Sequence, residues 1–387
     1  MGNKNSKGTT SGHKDVPRNW TGSVIFFGDR KVPIEVKETY QSWKHSIVKS
    51  KKNTERFKEY YPYSKTDVLG KGTYGDVFKG RDRRSPSTRE KMESERVGES
   101  ARVGSFKKDS DHSNCPMVAI KRIDKKTLRS EGDIAIEGLR KEIAILNMID
   151  HPNVLRFIDY YEDKIHHYLV TEVLYGGELF ERICKSKSFT ERDAQTLMLT
   201  LIDTMAYLYS KGIVHRDIKP ENLLLKYREE EQSESKGFHE LEVKLADFGY
   251  ATQLMGNKPL KTICGTPGYM APEVLSGIST GVGKKYGGKC DVYSLGVVFY
   301  VMLSGTLPYD PTEIVSNKVL RYKVCHSAFH YPTKYWKEIS SDCVDILKVL
   351  FSLSLSLSLS HYLFFFFSLL PNLFPKTLTH THTHKHV

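Results

Sequence analysis

Four carboxylate or amide side chains and two lysines, spread from residue 121 to residue 247, have the types needed to manage a polyphosphate. Lys121 ends the run "MVAIK" and Glu142 lies in "LRKEI". Asp217, Lys219 and Asn222 share "VHRDIKPENLLL", and Asp247 sits in "LADFGYA". Carboxylate and amide oxygens suit hard divalent cations such as Mg²⁺, and lysines neutralise phosphate oxygens. Upstream, "LGKGTYGDVFKG" places Gly70, Gly72 and Gly75 in a G-x-G-x-x-G pattern. Glycines let a backbone fold closely over a triphosphate where a Cβ would not fit. Alone, this pattern also marks dinucleotide folds and chance loops; here it reads as strand-turn-strand instead of opening a helix, which departs from the dinucleotide arrangement.

The elements that must hold these residues are legible in outline. From Val68 the chain reads as strand-rich. "RKEIAILNMI" puts Ile143, Leu146 and Ile149 near one another on a helical face, with His151-Pro152 marking the helix end. "AQTLMLTLIDTMAYLYSKG" and "DVYSLGVVFYVMLSG" read as buried helices stopped by Gly212 and Gly305. Strands early and helices late predict a small β-rich lobe followed by a helical lobe. Residues 81–116 and 228–237 read as solvated insertions. Before them, residues 1–19 form a polar arm, "SVIFFGDRKVPIEV" carries a hairpin signal at Gly28-Asp29, and residues 36–62 look helical and basic.

With "GTPGYMAPE" following Asp247, the order and spacing of these motifs resemble those of eukaryotic protein kinases over residues 63–350. The resemblance implies an α+β, bilobal kinase fold, Mg-ATP as phosphoryl donor, and roles for the residues above. Lys121 would hold the α and β phosphates and pair with Glu142; Asp217 would orient the substrate hydroxyl; Lys219 would meet the charge developing on the transferred group; Asn222 and Asp247 would ligate Mg²⁺. Leu69, Val77, Ala119 and Leu224 would sandwich adenine, Glu172 and Val173 would form the hinge, and Thr171 would stand behind the base. "DIKPEN" is similar to serine/threonine kinases, and "YLVTEVLYGGELFERI", "KTICGTPGYMAPEVL" and "GTLPYD" resemble the calmodulin-dependent and calcium-dependent group. That likeness implies phosphorylation of Thr262, with Arg216 receiving the phosphate, and protein substrates carrying arginine upstream of the target, read by Glu178 and Glu221. No EF-hand loop occurs in the sequence, so direct calcium sensing has no support. The competing reading is a catalytically silent ATP-binding protein or scaffold.

Composition bounds the remainder. The 387 residues carry a formal charge of +12, which favours acidic partners without choosing among them, and nucleic acid is not expected. Six scattered cysteines without a C-x-x-C pair point to reduced thiols and a cytoplasmic setting. "MGNKNS" fits the myristoylation pattern with Gly2 as acceptor, which would give peripheral, reversible membrane contact.

Two features strain the resemblance. "YWKEISSDCVDILKVL" resembles the start of the closing helices, yet no arginine follows Arg321 to pair with Glu273 of "APE", so the helical lobe reads as incomplete. From residue 351 the chain becomes a low-complexity tail. Residues 349–370 lack Asp, Glu, Lys and Arg and reach the roughly 20 residues needed to span a bilayer, although serines and His361 count against a span. A strand with Leu on one face is a second reading. The favoured one is translation of simple repeats: a CT repeat gives Ser-Leu, a T-rich run Phe, and a CA repeat the Thr-His alternation at 379–384.

Overall fold

The computed structural model describes residues 54–72, 75–84, 86, 89, 115–186, 188–228, 241–254, 259–276, 285–309, 316–326 and 329–352. Gly2, the residue 28–29 hairpin signal, most of both insertions and residues 353–387 lie outside them.

Five antiparallel strands make the first lobe: β1 (Tyr63–Gly72), β2 (Gly75–Arg81), β3 (Met117–Asp124), β4 (Phe157–Glu162) and β5 (His166–Glu172), in the order β1-β2-β3-β5-β4. Register decides which side chains face the site. Val77 pairs with Lys121 and Lys79 with Ala119, so these four share one face; Phe78 with Ile120 and Gly80 with Val118 share the other. That second face is covered by helix α1 (Thr54–Tyr60), the part of the expected 36–62 helix that falls within the described residues. Phe57 of α1 stacks on Tyr168 at 4.1 Å, and with Tyr61, Val118, Ile120 and Val170 it forms a separate small core.

Two of the first four residues of the 81–116 insertion are withdrawn from solvent. Arg81 completes β2, and Asp82 and Arg84 are buried, at 3% and 6% exposure. Arg84 binds Asp82 at 2.8 Å and reaches Asp159 at 3.5 Å, while Tyr61 donates to Asp159 at 3.1 Å. The ionic side chains pair with one another beneath α1, and burying them unpaired would cost several kcal/mol. An acidic-basic composition therefore concealed a packed stem.

Between β3 and β4 run α2 (Lys125–Ser130) and α3 (Asp133–Met148). The latter ends at Met148, three residues before His151, because Ile149 already turns to extended backbone (ψ 130°). Its buried face carries Ile143, Leu146 and Leu139.

The second lobe is helical. α4 (Leu179–Ser186) precedes α5 (Glu191–Ser210), which Thr190 caps by accepting from the Asp193 backbone N–H. Two short antiparallel strand pairs follow, β6 (Ile213–Val214) with β9 (Thr252–Gln253) and, between them in sequence, β7 (Leu223–Leu225) with β8 (Val243–Leu245). Then come α6 (Pro272–Leu275), α7 (Lys289–Ser304), α8 (Asn317–His326), α9 (Thr333–Trp336) and α10 (Ser341–Ser352). Helix α7 is buried nearly all round and ends where Gly305 adopts φ 70°, as its apolar run and terminal glycine predict.

The first two residues of the expected tail are helical. Phe351 and Ser352 belong to α10, and Phe351 is 5% exposed, stacked on Phe329 at 3.6 Å. Among the described residues no helix is long and apolar enough to cross a membrane.

Candidate active site

The strand pairs of the second lobe bring the separated motifs together. The loop carrying Asp217, Lys219 and Asn222 connects β6 to β7, and Asp247 follows β8, the partner of β7. Ala246 N–H donates to the Asn222 carbonyl at 2.8 Å, and His215 Nε2 lies 3.2 Å from the Ala246 carbonyl. The Asp217 N–H reaches His215 Nδ1 at 3.3 Å, which makes Nε2 the protonated nitrogen.

Two residues here pay for their position in backbone strain. Arg216 has φ 68° and Asp247 has φ 58°, left-handed values that cost a non-glycine residue about 1–2 kcal/mol. Asp291, 2% exposed, offsets the first: its two carboxylate oxygens accept the His215 and Arg216 N–H groups, each at 2.7 Å. Burial pushes its carboxyl above the usual range, opposed by His215 and these bonds. The sequence reading passed over Asp291; the signal was a lone acid opening an otherwise apolar helix.

Asp217 is the best-connected group. Asn222 Nδ2 donates to its carbonyl at 2.7 Å and to Oδ2 at 3.1 Å. Lys219 Nζ lies 3.1 Å from Oδ2, and the Thr266 hydroxyl donates to Oδ1 at 2.8 Å while accepting from Lys219. Thr266 was also missed, although it stands inside the "GTPGYMAPE" motif. With Nδ2 committed to Asp217, the Asn222 amide oxygen is the atom left to accept a cation. Asp247 is exposed, and one of its oxygens takes the Gly249 N–H at 3.2 Å. These donors fit a hard divalent ion with incomplete protein coordination.

Across the cleft, Lys121 Nζ lies 3.6 Å from Glu142 Oε1. Burial raises the Glu142 pKa first, Lys121 opposes the rise, and Asp247 adds to it, so the three groups converge. Val77 and Ala119 lie on the Lys121 face of the sheet, Leu69 is more exposed at 42%, and Leu224 is half-buried on β7. Gly70 pairs with Val77 and Gly72 with Gly75, a hairpin with the expected strand-turn-strand form. Thr171 is buried, and its hydroxyl donates to the Glu172 carbonyl at 3.2 Å; Val173 follows β5.

Below the cleft, Glu178 and Glu221 lie near each other. The Glu178 carboxyl is pushed up by burial first and then by Glu181 and Glu221, with Lys219 opposing. Glu221 Oε2 is buried without a hydrogen-bond partner. Thr262 is exposed, and its carbonyl accepts from the Tyr286 hydroxyl, which itself takes Arg216 Nη1 at 3.3 Å. Arg216 thus reaches Thr262 through Tyr286. Gly265, between Thr262 and Thr266, has φ 107°, and a Cβ there would sit 2.4 Å from the Arg216 carbonyl. Only glycine lets this segment lie against the catalytic loop. Glu273 is half-buried, and its Oε2 has no hydrogen-bond partner.

Comparison with known proteins agrees with this geometry. A family model described as "Protein kinase domain" matches residues 92–360, leaving the β1-β2 hairpin outside the match. Calcium/calmodulin-dependent protein kinase type 1 of Macrobrachium nipponense is 37% identical over 239 residues, 62% of this chain and 63% of the relative. Calcium-dependent protein kinase 5 of Plasmodium berghei is 34% identical over 279 residues, 72% of this chain and 40% of the relative. Calcium/calmodulin-dependent protein kinase type 1 of Caenorhabditis elegans is 35% identical over 276 residues, 70% of this chain and 73% of the relative. The chain therefore spans less than two thirds of the length of the first two.

Proposed function

The chain belongs to the protein kinase family, and on that premise we propose that it transfers the γ-phosphate of ATP to serine or threonine hydroxyls of protein substrates. The observation that carries this reading is the network on Asp217. Its carboxylate is held by Thr266 on one oxygen and by Lys219 and Asn222 on the other. A carboxylate so fixed accepts a hydrogen bond from an incoming hydroxyl and aims it, while Lys219 stands ready for the charge that develops on the transferred group. Lys121, paired to Glu142, draws the α and β phosphates toward the sheet.

Mg²⁺, when bound with the nucleotide, neutralises the phosphate oxygens; Asn222 and Asp247 are the residues that would hold it. Glu178 and Glu221 give the substrate side of the cleft a partly buried negative charge, which suits arginine upstream of the target hydroxyl. Phosphorylation of Thr262, peripheral membrane contact through a lipid on Gly2 and a cytoplasmic setting complete the proposal; they rest on the motifs alone. The unpartnered Glu273 oxygen favours the second reading, a silent ATP-binding protein.

The test is transfer of labelled γ-phosphate from Mg-ATP to an Arg-x-x-Ser peptide by the full chain, beside Asp217→Asn. Transfer that the substitution abolishes supports the kinase; nucleotide binding without transfer supports the silent reading.

A further inference from the structure

Glu172 was read as a hinge residue, and its side chain is engaged by two other segments of the chain. Its Oε1 lies 2.7 Å from Lys244 Nζ and accepts the Arg156 N–H at 2.7 Å. Both partners of the ion pair are largely shielded, at 12% exposure for Lys244 and 18% for Glu172. The surrounding backbone is stitched just as firmly. Glu172 N–H donates to the Arg156 carbonyl at 3.0 Å, Leu155 N–H to the Leu245 carbonyl at 2.9 Å, and Leu245 N–H to the Asn153 carbonyl at 2.8 Å. Asn153 Nδ2 adds a bond to the Val243 carbonyl at 2.9 Å.

Lys244 therefore sits at a junction. Its register partner on β7 is Leu224, one of the residues expected at adenine, and three residues further on the chain reaches Asp247. One side chain links the strand that ends in the hinge to the strand that delivers a metal-ligating carboxylate. We infer that Lys244 is a positioning residue: its ion pair with Glu172 makes the adenine-side backbone and the Asp247 carboxylate one rigid unit, so seating the base sets the metal ligand. This rests on the kinase reading above. A shielded, charge-assisted bond of 2.7 Å has the strength for that role, whereas an exposed pair of the same length would be screened.

The experiment measures ADP binding to the full chain by calorimetry, with and without Mg²⁺, alongside peptide phosphorylation, for Lys244→Met, Lys244→Arg and the exchanged pair Glu172→Lys with Lys244→Glu. Lys244→Met is expected to weaken ADP binding about tenfold, as loss of one charged hydrogen bond does. It should also shrink the tightening that Mg²⁺ gives, and raise KM for ATP more than it lowers kcat. Lys244→Arg should recover most of both effects, and the exchanged pair less, because a lysine at 172 cannot accept the Arg156 N–H. If Lys244→Met does not fold, Lys244→Arg carries the test, because it keeps the ion pair and the Arg156 bond and must keep the Mg²⁺ response. Equal binding and Mg²⁺ response in Lys244→Met and the unaltered chain would overturn the inference. So would equal weakening in all three variants, or a higher kcat at unchanged ADP affinity. An unaltered chain that binds no nucleotide would overturn the kinase reading as well.

Discussion

The hydroxyl of Thr266 donates to Oδ1 of Asp217 at 2.8 Å, tying the segment after Asp247 to the catalytic loop at the one carboxylate on which the proposed reaction turns. The same hydroxyl accepts from Lys219, so a single oxygen orders both side chains. Thr266→Val keeps the shape and removes both bonds. Its kcat should fall about tenfold to a hundredfold, the range for losing a hydrogen bond that holds a charged catalytic group, while KM for ATP stays near its original value. Steady-state kinetics on the Arg-x-x-Ser peptide decide it, and an unchanged kcat would remove Thr266 from the machinery.

Glu273 should make stability depend on pH in an unusual direction. Burial lifts its carboxyl above its ordinary 4.5, with Lys289 only partly opposing. The folded form therefore keeps a proton that the unfolded chain has already released. Stability from this group is greatest below the unfolded value and is lost as pH rises from about 4.5 through the raised one. Glu273→Gln should match the original chain at pH 4 and exceed it by about 1 kcal/mol at pH 8. Urea denaturation at the two pH values measures this, and a variant less stable at pH 8 would mean that the carboxylate has a partner after all.

Arg84 should be among the residues on which the first lobe most depends. It sits between Asp82 and Asp159 beneath α1, and its guanidinium lies 5.1 Å from the Tyr61 ring. Burial raises the Asp159 pKa and Arg84 holds it down. Arg84→Met would strand two buried carboxylates and cost roughly 3–5 kcal/mol. Adding Asp82→Asn and Asp159→Asn should recover much of that loss, which thermal unfolding of the single and triple variants would reveal.

How far the sequence carried depended on whether a residue's role is written in its neighbours. Lys121, Asp217 and Asp247 stand in short motifs, so each was legible as a candidate from the sequence alone. Gly212 and Gly305 ended helices as read, because a helix stop is a local backbone event. Arg84 was not legible: a run of arginines and serines has the same composition whether it is solvated or, as in Asp82 and Arg84, paired under a helix from an earlier part of the chain. Lys244 escaped for a similar reason. Its partner Glu172 lies 72 residues away, and nothing local distinguishes a lysine that binds across the molecule from one that faces water.

The acidic side of the cleft gives the sharpest functional prediction. Glu178 is held above its ordinary range by burial, Glu181 and Glu221, so its carboxyl keeps a proton to higher pH than a free glutamate does. An arginine-bearing peptide is bound by the carboxylate form, and its KM should fall as pH rises from the ordinary 4.5 through the raised value, while a matched peptide with leucine in place of arginine shows no such trend. Glu178→Gln should raise KM for the arginine peptide about tenfold and flatten its pH profile, leaving the leucine peptide unaffected, since only the charged contact is removed. Measuring KM for both peptides across that range separates this effect from general changes in kcat. Should the two peptides respond alike, the carboxylates would not be reading substrate charge, and Glu178 would owe its raised pKa to packing alone.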